Sequence, residues 1–501
     1  MERASGVLMP VSSLPGPYGI GGFGWNAYDF VDFLASCKQH YWQILPLTTT
    51  SYGDSPYQSF SARAGNPNFI DFAELIEAGY LEQRDIDGVY LGSDPSNVDY
   101  GAIFGGRRQI LDRAAERFAA DKPADFDDFI QANEDWLIPY CEFMTVKEEC
   151  GLKAFWEWPA ELRTRGEASA KVCAAHPARM LYHQMTQYFF DRQWSRLKAY
   201  ANERDILIIG DLPIYVSHDS VEMWATPELF KIDAAGNPVS VAGTPPDQFS
   251  ATGQYWGNPI YDWDRMKQDN YRWWVGRIGF AKKIYDIVRI DHFIGFNSYY
   301  AIPFGSKTAH GGKWCEGPKY DLFRVIKQET GNGGIIAEDL GIITPPVRKL
   351  LRQAAYPGMK VLQFAFDPSG DSEYLPQNYK SQNCAVYTST HDNDTAAGWF
   401  NDLDRNTKRF VKEYLGIRKA AELPRAFIDI AWKSTADIAM TTIQELQGFG
   451  TEARINVPST VGNNWRWRTL KEDFTDENAE YLKRLTEITN RKPPVKRKNK
   501  K

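Results

Sequence analysis

Several chemistries are missing from this 501-residue chain. No run of apolar residues is long enough to cross a bilayer, and Met1-Glu2-Arg3-Ala4-Ser5-Gly6 lacks the basic stretch and apolar region of a secretory signal. The expectation is a soluble, cytoplasmic protein. Six cysteines, at 37, 141, 150, 173, 315 and 384, form no CxxC pair, and the seven histidines form no HExxH. Neither a zinc site nor a disulfide frame is indicated, so the cysteines read as reduced, buried thiols. No phosphate-cradling GxGxxG or GxxxxGK[ST] stands in a strand-turn-helix setting. Excess basic charge is also absent. A net charge of -6 gives no support for neutralising the phosphates of nucleic acid. There is no internal repeat, and the only biased segment is the basic tail 491–501, expected to be disordered.

The chain does contain eight apolar or β-branched runs that read as parallel strands: Gly6 to Pro10, Tyr41 to Leu47, Ile206 to Leu212, Ile287 to Asp291, Gly334 to Glu338, Val361 to Phe366, Ala385 to Thr390 and Arg454 to Val457. Near-continuous apolar runs suit strands covered on both faces, and eight with helical spacers is the count of a TIM (β/α)8 barrel. A doubly wound α/β sheet makes similar strands. Two spacers are too long for simple loops. Residues 70–200 show helical periodicity and predict a mainly helical insertion; 216–275, rich in Pro, Gly and aromatics, predict a loop-rich insertion over the barrel mouth. Residues 1–490 are then expected to form one unit around the barrel.

Three acidic motifs directly follow strand-like runs: Arg289-Ile290-Asp291-His292, Ala337-Glu338-Asp339-Leu340-Gly341 and Thr390-His391-Asp392-Asn393-Asp394. A barrel places such residues at its active face. Two carboxyls flanking a glycosidic bond can act as nucleophile and general acid. Asp291 and Glu338 suit those roles, with Asp392 as third acid. Arg289 shares a strand face with Asp291 and should hold it ionised; the same pair could instead tie a strand into the barrel. Glu338 needs a raised pKa, which apolar Ile335, Ile336 and Ala337 could supply, but an acid there could also cap a helix. An aromatic content of 14%, with 16 Trp and 26 Tyr, suits ring stacking on sugars, although core packing accounts for most of it.

With these motifs the chain resembles the amylomaltases, the 4-α-glucanotransferases of glycoside hydrolase family 77. Further matching segments are Leu14-Pro15 with Gly19-Ile20-Gly21, Ser55-Pro56-Tyr57, Gly210-Asp211-Leu212-Pro213-Ile214, Pro245-Pro246-Asp247, Gly253-Gln254-Tyr255-Trp256-Gly257-Asn258-Pro259 and Gly462-Asn463-Asn464-Trp465. One departure is Ser459, where the family pattern has Gly.

The resemblance implies a TIM barrel that transfers α-1,4-glucan segments between maltooligosaccharides, or to glucose, through a covalent glycosyl-enzyme and without metal or organic cofactor. It implies Asp291 as nucleophile, Glu338 as acid/base and Asp392 as transition-state stabiliser. Arg289, His391, Asp211, Tyr57, Ser55, Gln254, Tyr255, Trp256 and Asn464 would contact substrate. The stretch Pro245 to Pro259 is expected to act as a lid that keeps water from the intermediate. A retaining α-glucan hydrolase would use the same trio, and a non-catalytic glucan-binding protein would not need it.

Overall fold

The fold is described from a computed structural model covering residues 1–51, 53–246, 251–341 and 343–493. Among the described residues twelve strands run β1 Ala4–Leu8, β2 Tyr41–Gln43, β3 Leu207–Leu212, β4 Ser240–Thr244, β5 Gln254–Pro259, β6 Ile287–Ile290, β7 Ser298–Pro303, β8 Lys313–Glu316, β9 Ile335–Ala337, β10 Gly358–Val361, β11 Cys384–Tyr387 and β12 Ile438–Thr442. Eight of them close a parallel barrel in the order β1-β12-β11-β10-β9-β6-β3-β2. This is a TIM barrel. The other four form an antiparallel sheet, β5-β4-β7-β8.

Side chains alternate along each barrel strand between an inner plug and an outer layer packed on helices. Ile209, Ile287, Ile336, Met359, Val361, Tyr387, Ile438 and Met440 belong to the inner plug. Continuing three of these columns by two residues moves them from apolar to ionisable: Ile209 to Asp211, Ile287 to Arg289 to Asp291, Ile336 to Glu338. The strand period therefore aims these groups into the barrel mouth. Gly210 is required between them, because a Cβ there would lie 2.2 Å from the Tyr285 ring.

Residues 70–200 carry the long helices Tyr100–Ala120, Phe126–Glu149 and Pro177–Glu203, the last continuing to Glu203 just before β3. The antiparallel sheet takes β4 and β5 from 216–275 but β7 and β8 from beyond Asp291. It is thus assembled from two separate segments.

Three sequence expectations are corrected. The eighth barrel strand is Ile438–Thr442, not Arg454 to Val457. Its sequence Ile-Ala-Met-Thr-Thr pairs residue by residue with β1, from Ala4↔Ile438 to Leu8↔Thr442, and is buried throughout. Alanine weakens its local strand signal, whereas barrel closure demands a strand there. Arg454 to Val457 forms no strand and directs polar groups at the site. The sixth strand is Gly358–Val361, with Leu362–Phe364 turning as a short 3-10 helix. Arg491 is not tail: it is fully buried and donates to the carbonyls of Trp432, Ser434, Ala436, Asp437 and Ala4. These bonds fasten the chain end beneath β1 and β12. Residues 494–501 of the expected tail, and 247–250 of the expected lid, lie outside the described residues.

Candidate active site

Arg289 is the electrostatic centre of the barrel mouth. Its Nη1 donates to Asp211 Oδ1 and Oδ2 at 2.7 and 2.6 Å and to Asp291 Oδ1 at 3.2 Å. Arg289 is 3% exposed and the Asp211 side chain 0%, so the ion pair is dry and each partner depends on the other. Asp291 stands at the rim, its side chain 26% exposed.

The left-handed backbone of His292, φ 46°, couples Asp291 to Glu338. It turns the His292 N–H onto Glu338 Oε2 at 2.7 Å, while Leu340 N–H donates to Oε1 at 2.7 Å. The strand ends are also locked: Asp291 N–H donates to Leu212 O at 3.0 Å and Glu338 N–H to Ile290 O at 3.0 Å. Glu338 is 8% exposed. Burial, reinforced by the charge of Asp291, pushes its carboxyl up to about 7 against the pull of Arg289. That is the direction a proton donor near neutral pH needs.

Asp291 differs from the expectation that Arg289 would depress its pKa. Burial raises it to about 6, and the negative charges of Asp211 and Asp392 add to burial; Arg289 opposes them without winning. The reason is geometric: Arg289 Nη1 gives its two short bonds to Asp211 and its long one to Asp291.

Asp392 is held from two sides. Asn456 Nδ2 donates to its Oδ1 at 2.6 Å, and His391 Nε2 lies 3.3 Å from Oδ2. Burial works against its charge, but His391, Asn456 and Arg289 outweigh it and hold the carboxyl well below the usual range. The Asp392 side chain remains 44% exposed and His391 is buried. Tyr57 links Asp211 to His391, donating its hydroxyl to Asp211 Oδ2 at 2.8 Å with His391 Nε2 at 2.9 Å. Its ring lies near-parallel to His391, 17° apart and 5.3 Å between centroids, with Trp465 on the flank. Ser55 Oγ accepts from Tyr57 N–H at 3.2 Å and so shapes the turn that presents this ring.

On β5, Trp256 packs edge-on to His292 at 4.9 Å and donates its indole N–H to Gln254 Oε1 at 3.0 Å. Tyr255 lies between them on the strand and therefore points to the opposite face. It is 37% exposed, and its hydroxyl accepts from Gly305 N–H at 3.3 Å. Asn464 is also directed elsewhere: it accepts from Val457 N–H and donates to Thr460, closing its own loop. In that loop Ser459, the departure from the family pattern, takes a left-handed φ of 66°. The turn keeps the conformation that glycine favours.

A family model described as 4-alpha-glucanotransferase matches residues 9–472. The chain belongs to the 4-alpha-glucanotransferase family. It is 49% identical over 494 residues to the 4-alpha-glucanotransferase of Streptococcus pneumoniae, covering 98% of each chain. It is 41% identical over 502 residues to that of Thermus thermophilus, covering 98% of this chain and 99% of the other. The solved structure of amylomaltase from Streptococcus agalactiae in complex with acarbose superimposes with a TM-score of 0.95 at 44% identity. That match covers 98% of this chain and all of that one.

Three residues in the cluster escaped sequence reading. Asn456 and Arg454, whose Nη2 donates to Asp392 O at 3.1 Å, lie inside a run whose sequence reads as a strand. Their signal was the alternation of polar with apolar residues just before the Gly462-Trp465 motif. His292 contributes through its backbone N–H, which no side-chain motif announces.

Proposed function

We propose that this protein is a 4-α-glucanotransferase acting on maltooligosaccharides and longer α-1,4-glucans. The observation that carries the reading is the junction of Asp291 and Glu338 through the His292 turn at the mouth of the barrel. Membership of the family and the acarbose complex of the Streptococcus agalactiae relative support it.

In the first step an ionised Asp291 oxygen attacks the anomeric carbon. The bond to the leaving glycosidic oxygen breaks, and that oxygen takes the Glu338 proton. In the second, an acceptor 4-hydroxyl attacks the same carbon, gives its proton to Glu338, and the bond to Asp291 breaks. Two inversions retain configuration. Two carboxyls with raised proton affinities can hold the required pair of states, one ionised and one protonated, near pH 6 to 7. Asp392, aligned by Asn456 and His391, would bind sugar hydroxyls more strongly as the ring flattens. Asp211, Arg289 and Tyr57 position the donor sugar, and Gln254 and Trp256 line the acceptor side. Pro245 to Pro259 would shield the intermediate from water.

Residues 1–490 would act as one catalytic unit with insertions at 70–200 and 216–275. A cytoplasmic location is supported by six free cysteines, as a reducing compartment keeps them.

The test is incubation with maltotriose and no added cofactor, following all products by chromatography beside a reducing-end count. A ladder of longer chains plus glucose, with reducing ends nearly constant, is expected. Rising reducing ends would make the protein a hydrolase, and unaltered maltotriose would make it a binding protein.

A further inference from the structure

Exposed apolar side chains gather on the small antiparallel sheet. Val239 is 58% exposed, Trp314 56%, Phe304 43% and Tyr255 37%. An accumulation of this kind on a soluble surface marks a binding face more often than chance.

The register shows how the rings are arranged. Gly243 pairs with both Tyr255 and Tyr300, and Tyr300 pairs with Trp314. Directly paired residues share a face, so Tyr255, Tyr300 and Trp314 lie in one row across four strands, on the face opposite Trp256. At a strand spacing of about 4.8 Å the row spans roughly 14 Å. Its centre is fixed: Tyr300 is buried and donates its hydroxyl to Ala309 O at 3.0 Å. The Trp314 ring stands edge-on to Tyr300, 66° between planes and 5.4 Å between centroids. An aromatic support thus holds Trp314 while more than half of it remains open to solvent. β8 is the outer strand of its sheet, so nothing in the sheet lies beyond it.

We propose that this face is a second α-glucan contact, anchored by Trp314, that engages chains long enough to extend past the catalytic cleft. The proposal rests on the function argued above. Two observations choose a glucan as the occupant. The sheet is continuous with the acceptor side, because β5 sends Trp256 toward His292 and Tyr255 into the outer row. On the Trp314 face of β8 the neighbouring charge is Glu316, and it is paired with Lys319 at 3.0 Å. A neutral polymer with flat apolar ring faces fits such a surface better than a polyanion does.

The experiment compares wild type, Trp314→Ala and Trp314→Phe. Affinity for soluble amylose is read from retardation in native gels, and transfer is assayed with maltotriose and with amylose as donors. Trp314→Ala should bind amylose at least about fivefold more weakly, a loss of roughly 1 kcal/mol. Trp314→Phe should retain most of the affinity, and maltotriose transfer should stay within about twofold for both, since that cost falls only on long chains. Unchanged amylose affinity would overturn the proposal. So would equal losses on both donors, or conversion of a dimer to a monomer in sedimentation with amylose affinity intact, which would make a second copy the occupant. Inert wild type on maltotriose would refute the catalytic reading instead. Retardation does not depend on turnover, so the two failures are separable.

Discussion

Replacing Asp291 by Asn should abolish transfer and stabilise the fold, with a pH dependence that tests why its carboxyl is perturbed. Folding raises this group from 3.8 to about 6. For an acid with a raised folded pKa, the favourable contribution is complete below the unfolded value and is lost as pH rises through the folded one. Between about pH 4 and 7 the wild type should therefore lose stability that the Asn variant keeps. At 1.4 kcal/mol per tenfold change in proton affinity the gap approaches roughly 3 kcal/mol, an upper bound because the group is partly solvated. The Asn carbonyl can still accept from Arg289, so no donor is orphaned. With an unfolding entropy of about 2.1 cal/mol/K per residue, the variant should melt up to about 3 °C higher at pH 8 and level with wild type at pH 4.

The assay is scanning calorimetry of both proteins at the two pH values and one scan rate, beside maltotriose turnover and maltooligosaccharide binding. Turnover should fall by roughly 10³-fold or more, as for other removed nucleophiles, with binding still detectable. A variant less stable than wild type at pH 8 would refute the reasoning, because the Arg289 attraction would then outweigh burial. Substantial residual transfer would reject Asp291 as nucleophile.

Three other outcomes are expected. Transfer should follow a narrow bell against pH, lost toward acid as Asp291 protonates near about 6 and toward alkali as Glu338 loses its proton near about 7; a rate flat from pH 5 to 9 would contradict this pairing. Asn456→Ala should free Asp392 Oδ1 and lower kcat/KM by roughly 10- to 100-fold, the loss of one charge-assisted bond worth about 1.5–3 kcal/mol. Unaltered kinetics would show that Asn456 does not align Asp392. Shortening the Pro245 to Pro259 segment should raise the ratio of hydrolysis to transfer, measured from reducing ends against chain redistribution, and an unchanged ratio would count against a shielding role.

The barrel's ionisable groups were legible in the sequence because strand alternation is a local rule. Ile287, Arg289 and Asp291 must share a face wherever that strand lies, and Ile336 and Glu338 likewise. The acidic motifs after apolar runs therefore point to Asp291, Glu338 and Asp392 from sequence alone, whereas Asp211 comes only from the family resemblance. Strand eight was not legible, since Ile438–Thr442 becomes a strand only because β1 and β11 leave an open edge on both sides of it. Tertiary structure also decided the protonation balance. Sequence adjacency pairs Arg289 with Asp291, but three-dimensional distance gives its guanidinium to Asp211, 78 residues away. Likewise, Asn456 reaches Asp392 across 64 residues. Which residues are available for chemistry follows from local pattern; how their charges are shared depends on long-range distances and burial, which no local pattern encodes.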